Sequence, residues 1–231
     1  MKVLIACECS QTVCKAFRCI EHEAYSCDIL KCYGGHPEWH IVGDCIDIIN
    51  GSVSFMTEDG INYSIDTEWD LIIAHPPCTY LSNAATSKHS LKSSTLEEIN
   101  ERTAKRVQAQ EFFMRIVNSN CERIAIENPV GIMSTVYRKP DQIIEPYQFA
   151  ESEDDKENYQ TKRTCLWLKG LQRLQINDLP RPDNAKIWGR WSNGKARCWN
   201  DLVYSKERAV IRSKTFPGIA KAMAEQWGIY D

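Results

Sequence analysis

The segment His75-Pro76-Pro77-Cys78 places a thiol directly after a Pro-Pro step. Proline fixes its own φ and restricts the residue before it, so the thiol sits on a rigid, extended turn. A free cysteine ionises near pH ~8.5 and needs a positive or helix-terminal setting to act as a thiolate near neutrality. Farther along, Glu127-Asn128-Pro129 supplies a carboxyl able to donate or take a proton on a bound base, with Asn128 and Pro129 shaping its loop. The competing reading of Cys78 is an inert buried thiol, which fits most of the 11 cysteines.

These groups need elements to hold them. Val3-Leu4-Ile5-Ala6 is an apolar run that reads as a buried first strand. Ser10 is placed to cap a helix carrying Val13, Ala16, Phe17 and Ile20 on one face. Ala24 to Cys27 reads as a second strand ending at Asp28, and His40-Ile41-Val42 as a third ending at Gly43-Asp44. Residues 51–66 suggest an inserted hairpin turning at Glu58-Asp59-Gly60. Trp69 to Ala74 is a fourth strand running into the Pro-Pro-Cys turn. A polar stretch as far as residue 93 reads as a mobile loop. Behind it, Ser94 with Glu97 or Thr95 with Glu98 offers a capping box for a helix facing inward through Ala109, Phe112, Phe113 and Ile116. Arg123 to Ile126 is a fifth strand ending at Glu127-Asn128-Pro129. Ile143 to Phe149 and Thr164 to Leu168 are further strands, separated by an acidic stretch, and the last helix covers Gly218 to Trp227.

Strands alternating with helices predict an α/β fold with a mostly parallel twisted sheet and helices on both faces. Ligands in such sheets sit beyond the carboxyl ends of the strands. Cys7 to Gln11, Asp28, Asp44, His75 to Cys78, Glu127 and Asn128 all fall at those ends, so one rim gathers acids, a thiol and polar groups.

An odd number of scattered cysteines argues against a secreted disulfide framework. No apolar run approaches the roughly 20 residues of a membrane span, and Glu8 interrupts the apolar start, so a cytoplasmic location away from membranes is expected. The net charge of −3 conceals an asymmetry. Residues 160–231 hold 14 Lys and Arg against 6 Asp and Glu, whereas residues 1–159 hold 14 against 25. A basic C-terminal third suits a polyanion; a solvated, salt-bridged surface is the plainer reading. Cys27, Cys32, His36 and His40 have zinc-like local spacings, but only three residues separate Cys32 from His36, so no metal is assigned.

Pro76-Pro77-Cys78-Thr79-Tyr80-Leu81-Ser82, followed by Glu127-Asn128-Pro129-Val130-Gly131, resembles the Pro-Cys loop and the Glu-Asn-Val motif of cytosine-5 DNA methyltransferases, most closely a short, phage-type subgroup. The similarity extends to Val3-Leu4-Ile5-Ala6-Cys7-Glu8, to Thr164-Cys165-Leu166-Trp167-Leu168-Lys169-Gly170-Leu171 and to Thr215-Phe216-Pro217-Gly218-Ile219-Ala220. The resemblance implies a Rossmann-like, S-adenosylmethionine-dependent methyltransferase fold acting on DNA, duplex or single-stranded. It implies a catalytic domain over 1–170, a reduced target-recognition region over 171–212 and a C-terminal helix over 213–231 that completes the domain. Cys78, presented by Pro77, would add to ring carbon 6 of a flipped-out cytosine. Glu127, held by Asn128, would serve ring nitrogen 3, and the loop 79–93 would close over the base.

The resemblance also assigns S-adenosylmethionine to Cys7, Glu8, Cys9 and Ser10 after the first strand. Asp28 with Ile29, Asp44 with Cys45, and His75 with Pro76 complete that set, Asp28 serving ribose and Asp44 the adenine amino group. Lys162 and Arg163 fall near a Gln-x-Arg-x-Arg motif that touches the base. Lys186, Arg190, Lys195 and Arg197, among Trp188, Trp191 and Trp199, would meet nucleic acid. Three departures stand out: the first loop lacks the family's glycines, Lys162 and Thr164 replace two arginines, and 171–212 is short. Amino-group methylation fails, because no amide or acid stands at 75, no aromatic at 78, and Glu127 is left without a role; another nucleic-acid or nucleotide substrate and a catalytically decayed nucleic-acid-binding or decoy protein are the alternatives.

Overall fold

The computed structural model describes residues 1–83, 91–92, 94–182 and 214–229, together with the backbone at 189–190 and 196–197. In chain order its elements are β1 (Lys2–Ala6), α1 (Thr12–Cys19), β2 (Glu23–Asp28), β3 (His40–Val42), β4 (Val53–Met56), β5 (Asn62–Ile65) and β6 (Leu71–Ala74). There follow α2 (Leu96–Val117), β7 (Ile124–Pro129), α3 (Met133–Val136), β8 (Gln142–Ile144), β9 (Thr164–Lys169), β10 (Gly189–Arg190), β11 (Ala196–Arg197) and α4 (Pro217–Trp227).

β1 is apolar and buried on both faces from Val3 onward, so it needs neighbours on both edges and cover on both sides. It pairs in parallel with β2 and with β6. β3 and β7 extend the parallel run outward, β9 returns antiparallel to β7, and β8 pairs antiparallel with β9 at the edge. The order is β3-β2-β1-β6-β7-β9-β8. On one face Leu4, Tyr25, Ile72, Ile126 and Trp167 pack with Phe113 and Ile116 of α2. On the other, Ile5, Ile73, Ala125 and Leu166 pack with Phe17 of α1 and with Ile219, Met223 and Trp227 of α4. This is a mixed α/β architecture with helices on both faces, compatible with a Rossmann-like fold. Strand order reverses between β1 and β6, which makes the crevice at their carboxyl ends the natural ligand position.

The 51–66 hairpin forms as β4 and β5, with Gly60 at φ 89° in its turn. Thr95 and Glu98 make the capping box of α2: the Thr95 hydroxyl accepts from Glu98 N, and Glu98 accepts from Thr95 N. Four expectations need correction. The fourth strand starts at Leu71 rather than Trp69, whose indole instead donates to the Ile48 carbonyl. The fifth begins at Ile124 rather than Arg123 and ends at Glu127-Asn128-Pro129 as expected, β9 pairing with it along its whole length. The expected strand over Ile143 to Phe149 ends at Ile144, where Pro146 opens a 3₁₀ turn. Gln11, at φ 57°, stands at the cap position of α1 but bonds Ser26 and His36 rather than the helix, and the Glu8 carboxylate takes the role expected of Ser10.

Candidate functional site

Strand register builds the centre of the rim. β6 and β7 pair Ile72 with Ile124, Ile73 with Ala125 and Ala74 with Ile126. The next residues in register are His75 and Glu127, and side chains opposite each other in parallel neighbours share a face. His75 Nδ1 lies 3.1 Å from Glu127 Oε2, with only 8% of the His75 side chain and 18% of the Glu127 side chain exposed. The next pair is Pro76 and Asn128. Pro76 has no N–H for the ladder, and Asn128 Nδ2 donates to the Pro76 carbonyl at 2.7 Å. The ladder thus ends in side chains, and the chain then turns outward to exposed Pro77 and Cys78.

The turn at Cys78 is braced from two sides. Leu81 N and Ser82 N donate to the Cys78 carbonyl at 3.1 and 2.9 Å. Ser82 bridges to Gly131, and Ile132 N donates to the Leu81 carbonyl, tying the turn to the segment after β7. From α2, Arg102 Nη2 reaches the Thr79 carbonyl at 3.1 Å and Arg106 Nε the Tyr80 carbonyl at 3.3 Å. The Arg102 guanidinium also lies over the Tyr80 ring. Two cations are therefore anchored on the carbonyls of the two residues that follow the thiol. Sequence reasoning missed both arginines; the clue was their i, i+4 spacing on α2. It also missed the His75–Glu127 pair, which depends on register. Residues 84–90 and 93 of the expected mobile loop lie outside the described residues.

Burial pushes the Glu127 carboxyl up, but the hydrogen bond and charge of His75 outweigh it. The Lys162 charge and contact with Thr164 add to them, and the carboxyl is held below the usual glutamate range. Lys162 sits 5.5 Å from the Phe216 ring centroid, ahead of α4. Arg163 is exposed and lines a separate cleft of about 330 Å³ with Ile143, Glu145, Gln148 and Arg181. The other rim thiols are less exposed than Cys78. Burial and the Glu127 charge push Cys165 up to about 11, and burial pushes Cys9 up to about 11. Cys7 Sγ lies 3.8 Å from buried Cys45 Sγ, and its thiol is pushed well up, first by that contact and then by burial.

At the β1–β2–β3 ends, Asp28 Oδ1 accepts from Leu30 N at 2.9 Å and Asp44 Oδ1 accepts from Ile46 N at 3.0 Å. Each acid shapes its own turn with one oxygen and has further acceptor capacity. Ile29, beside Asp28, is 76% exposed. Glu8 is only 4% exposed, accepting from Val13 N and Cys14 N and from the Ser10 hydroxyl. Cys7 and Gln11 take left-handed backbone (φ 60° and 57°) without being glycine, so the glycine-poor loop still makes its two sharp bends. Cys27 and His40 of the zinc-like group have other partners: His40 uses Nδ1 with Ser26 and Nε2 with the Leu30 carbonyl. Arg190 and Arg197 fall on β10 and β11, where only backbone is described, and Lys186 and Lys195 lie outside the described residues. Among those residues, no helix is long and apolar enough to cross a membrane. No protein-family model matches the chain, and no curated protein matches it either.

Proposed function

We propose that this chain methylates carbon 5 of cytosine in DNA, with Cys78 as nucleophile and Glu127 as the acid–base group at the ring. The observation that carries the reading is the pair of register steps beyond β6 and β7, His75 with Glu127 and then Pro76 with Asn128. They put an exposed thiol three residues from a carboxyl-bound histidine, beside the switch point of the sheet. Ser82 and Gly131, Arg102 and Arg106 then hold the turn that presents the thiol.

The chemistry follows from these groups. The Cys78 thiolate adds to ring carbon 6, and Glu127 serves ring nitrogen 3 as the acid–base group where charge develops. Carbon 5 becomes enamine-like and nucleophilic. Loss of its proton and expulsion of the thiolate restore the aromatic ring. Asp28 and Asp44 suit a cofactor that offers ribose hydroxyls and an adenine amino group as donors, and Ile29 offers apolar surface to a flat ring. S-adenosylmethionine held by these residues would supply the methyl group. On a duplex, the target base must leave the stack to reach Cys78.

DNA containing 5-fluorocytosine tests the reading, because fluorine at carbon 5 blocks the last proton loss and leaves the adduct in place. A covalent complex that requires S-adenosylmethionine and maps to Cys78 is expected, and Cys78→Ser should abolish it. An adduct on another cysteine would mean that the site is misplaced. The buried Glu8 at the N-terminus of α1 favours a second reading, a nucleic-acid-binding protein on a fold that no longer takes the cofactor. A calorimetric titration showing no heat of binding at millimolar S-adenosylmethionine would select it.

A further inference from the structure

Lys162 and Arg163 are neighbours in the chain but serve different places. Lys162 and Thr164 bear on Glu127. Side chains alternate across an extended chain, so Arg163, between them, faces the other side of the sheet. There it meets β8. Ile144 pairs with Thr164 and Ile143 with Cys165, so the next step in register sets Glu145 opposite Arg163. With Gln148 and Arg181 these residues line the cleft of about 330 Å³. Glu145, its side chain only 12% exposed, is fully engaged. It accepts from Arg181 Nε at 2.8 Å, from Arg181 Nη2 at 3.1 Å and from Gln148 N. Gln148 Oε1 in turn accepts from Glu145 N at 2.7 Å. The acceptors of the cleft's side chains are thus taken, and what remains is donors. These are Gln148 Nε2, the outer N–H groups of Arg181 and the whole Arg163 guanidinium. Among the described residues, neither Gln148 Nε2 nor Arg163 makes a hydrogen bond or ion pair.

We infer that this cleft holds one backbone phosphodiester of the DNA strand that carries the target cytosine. The inference rests on the cytosine-methylation reading and adds to it a place for the strand outside the reacting base. Two guanidinium ions and one carboxylate leave a single positive charge in the cleft. A phosphodiester matches it with a single negative charge and offers acceptor oxygens only, whereas a terminal phosphate carries roughly two charges near neutrality. Guanidinium forks fit phosphate oxygens two at a time. The bidentate bond to Glu145 fixes the plane of the Arg181 fork before any ligand arrives. Ile143, 42% exposed, offers apolar surface to the sugar carbons. The cleft also lies at the right end of the sheet, because Thr164, next to Arg163, pairs with Pro129 at the end of β7. In the strand order it stands between β9 and β8, beyond β7 from β6. Strand spacing makes that offset roughly 10–15 Å, which a DNA strand covers in about three or four base steps.

Two measurements on the full chain test this. The first follows the guanidinium Nε–H resonances of Arg163 and Arg181 by NMR, assigned by their loss in Arg163→Gln and Arg181→Gln. A short thymidine oligonucleotide, with diesters but no cytosine, should shift both at micromolar concentration. Inorganic phosphate and thymidine monophosphate should need about a hundredfold more, since neither brings the further phosphate contacts of a strand. Equal affinity for a free phosphate would make this a small-molecule site and overturn the inference. A response to inorganic phosphate alone, at tens of millimolar, would mean an adventitious ion only, and silence toward every ligand would overturn the inference as well. The second replaces single diesters by neutral methylphosphonates in DNA carrying one 5-fluorocytosine. At subsaturating DNA, one replacement about three or four nucleotides from the fluorinated base should slow trapping about tenfold in wild type, and should add nothing in Arg163→Gln. That variant removes an exposed side chain with no bond to the rest of the described protein, so its fold is not at stake. A methylphosphonate effect of equal size in wild type and variant, or none at any position, overturns the inference. Guanidinium shifts with the oligonucleotide but no adduct on any DNA leave the phosphate site standing and overturn the cytosine reading alone.

Discussion

Glu127 is a buried carboxyl that stays ionised, and that has a cost and a consequence. Its folded pKa lies below the ordinary glutamate value of about 4.3, chiefly because His75 outweighs burial. A group depressed in this way contributes stability that is full above roughly pH 5 and is lost as pH falls through its folded value. Glu127→Gln removes that contribution, so the gap in Tm between wild type and variant should close as pH drops from about 6 to about 3. Differential scanning calorimetry across that range reads the gap directly; a constant gap would mean that the pair adds nothing to acid sensitivity. Glu8 is the other acid whose place is structural first. Its carboxylate satisfies two of the orphan N–H groups of α1 from a position four residues ahead of the helix. Glu8→Ala should cost about 1–2 kcal/mol in urea unfolding, the range of a lost helix cap. Local capping rules look for Ser, Thr, Asp or Asn directly before the first turn, which is why Ser10 is the natural reading of the sequence alone. No short-range rule extends to a glutamate farther upstream and folded back by two left-handed residues.

The elements themselves were legible wherever their signal was local. Apolar runs mark β1, β2, β3 and β6, the Asp59-Gly60 turn marks the β4–β5 hairpin, and Thr95 with Glu98 marks the start of α2. What was not legible is non-local. Glu127 lies inside β7 because β9 pairs with it residue for residue, Glu127 opposite Leu166 and Asn128 opposite Cys165. Nothing near Glu127 in the chain announces that partner. The same holds for His75, which falls just past an apolar run and acquires its role only through the register with β7. Gly131 shows how tightly the loops after β6 and β7 meet. A Cβ at that position would stand 2.1 Å from the Leu81 carbonyl oxygen, which is backbone and cannot rotate away. Gly131→Ala should therefore push the two loops apart and loosen the turn that presents Cys78. The expected result is at least a tenfold loss of 5-fluorocytosine trapping with S-adenosylmethionine affinity unchanged, the mark of misplaced reacting groups rather than lost binding. Equal losses of both would instead indicate global destabilisation.

At the scale of the whole molecule the sheet gives the chain one functional rim, and charge is divided along the sequence rather than spread evenly. Residues 160–231 carry an excess of 8 positive charges and the preceding 159 residues an excess of 11 negative ones. Lys162 and Arg163 open that basic stretch at the start of β9, on the rim where Glu127 lies. A polyanion drawn to Lys162 and Arg163 would thus approach the rim where Glu127 lies. This is an argument about phosphates, not about sequence readout, and its signature is salt. If DNA binds through neutralised phosphates, log Kobs should fall linearly with log salt, each contact adding roughly 0.9 to the slope on a duplex or 0.7 on a single strand. Reversing Lys195 and Arg197 to Glu should then weaken binding at low salt and flatten the slope by about 2. Fluorescence anisotropy with a short labelled duplex and its single strand, between low and physiological salt, gives both slopes and shows which form is preferred. Binding that ignores salt, or no binding to either form at low salt, would return the basic third to an ordinary solvated surface and leave DNA without a docking face on this chain.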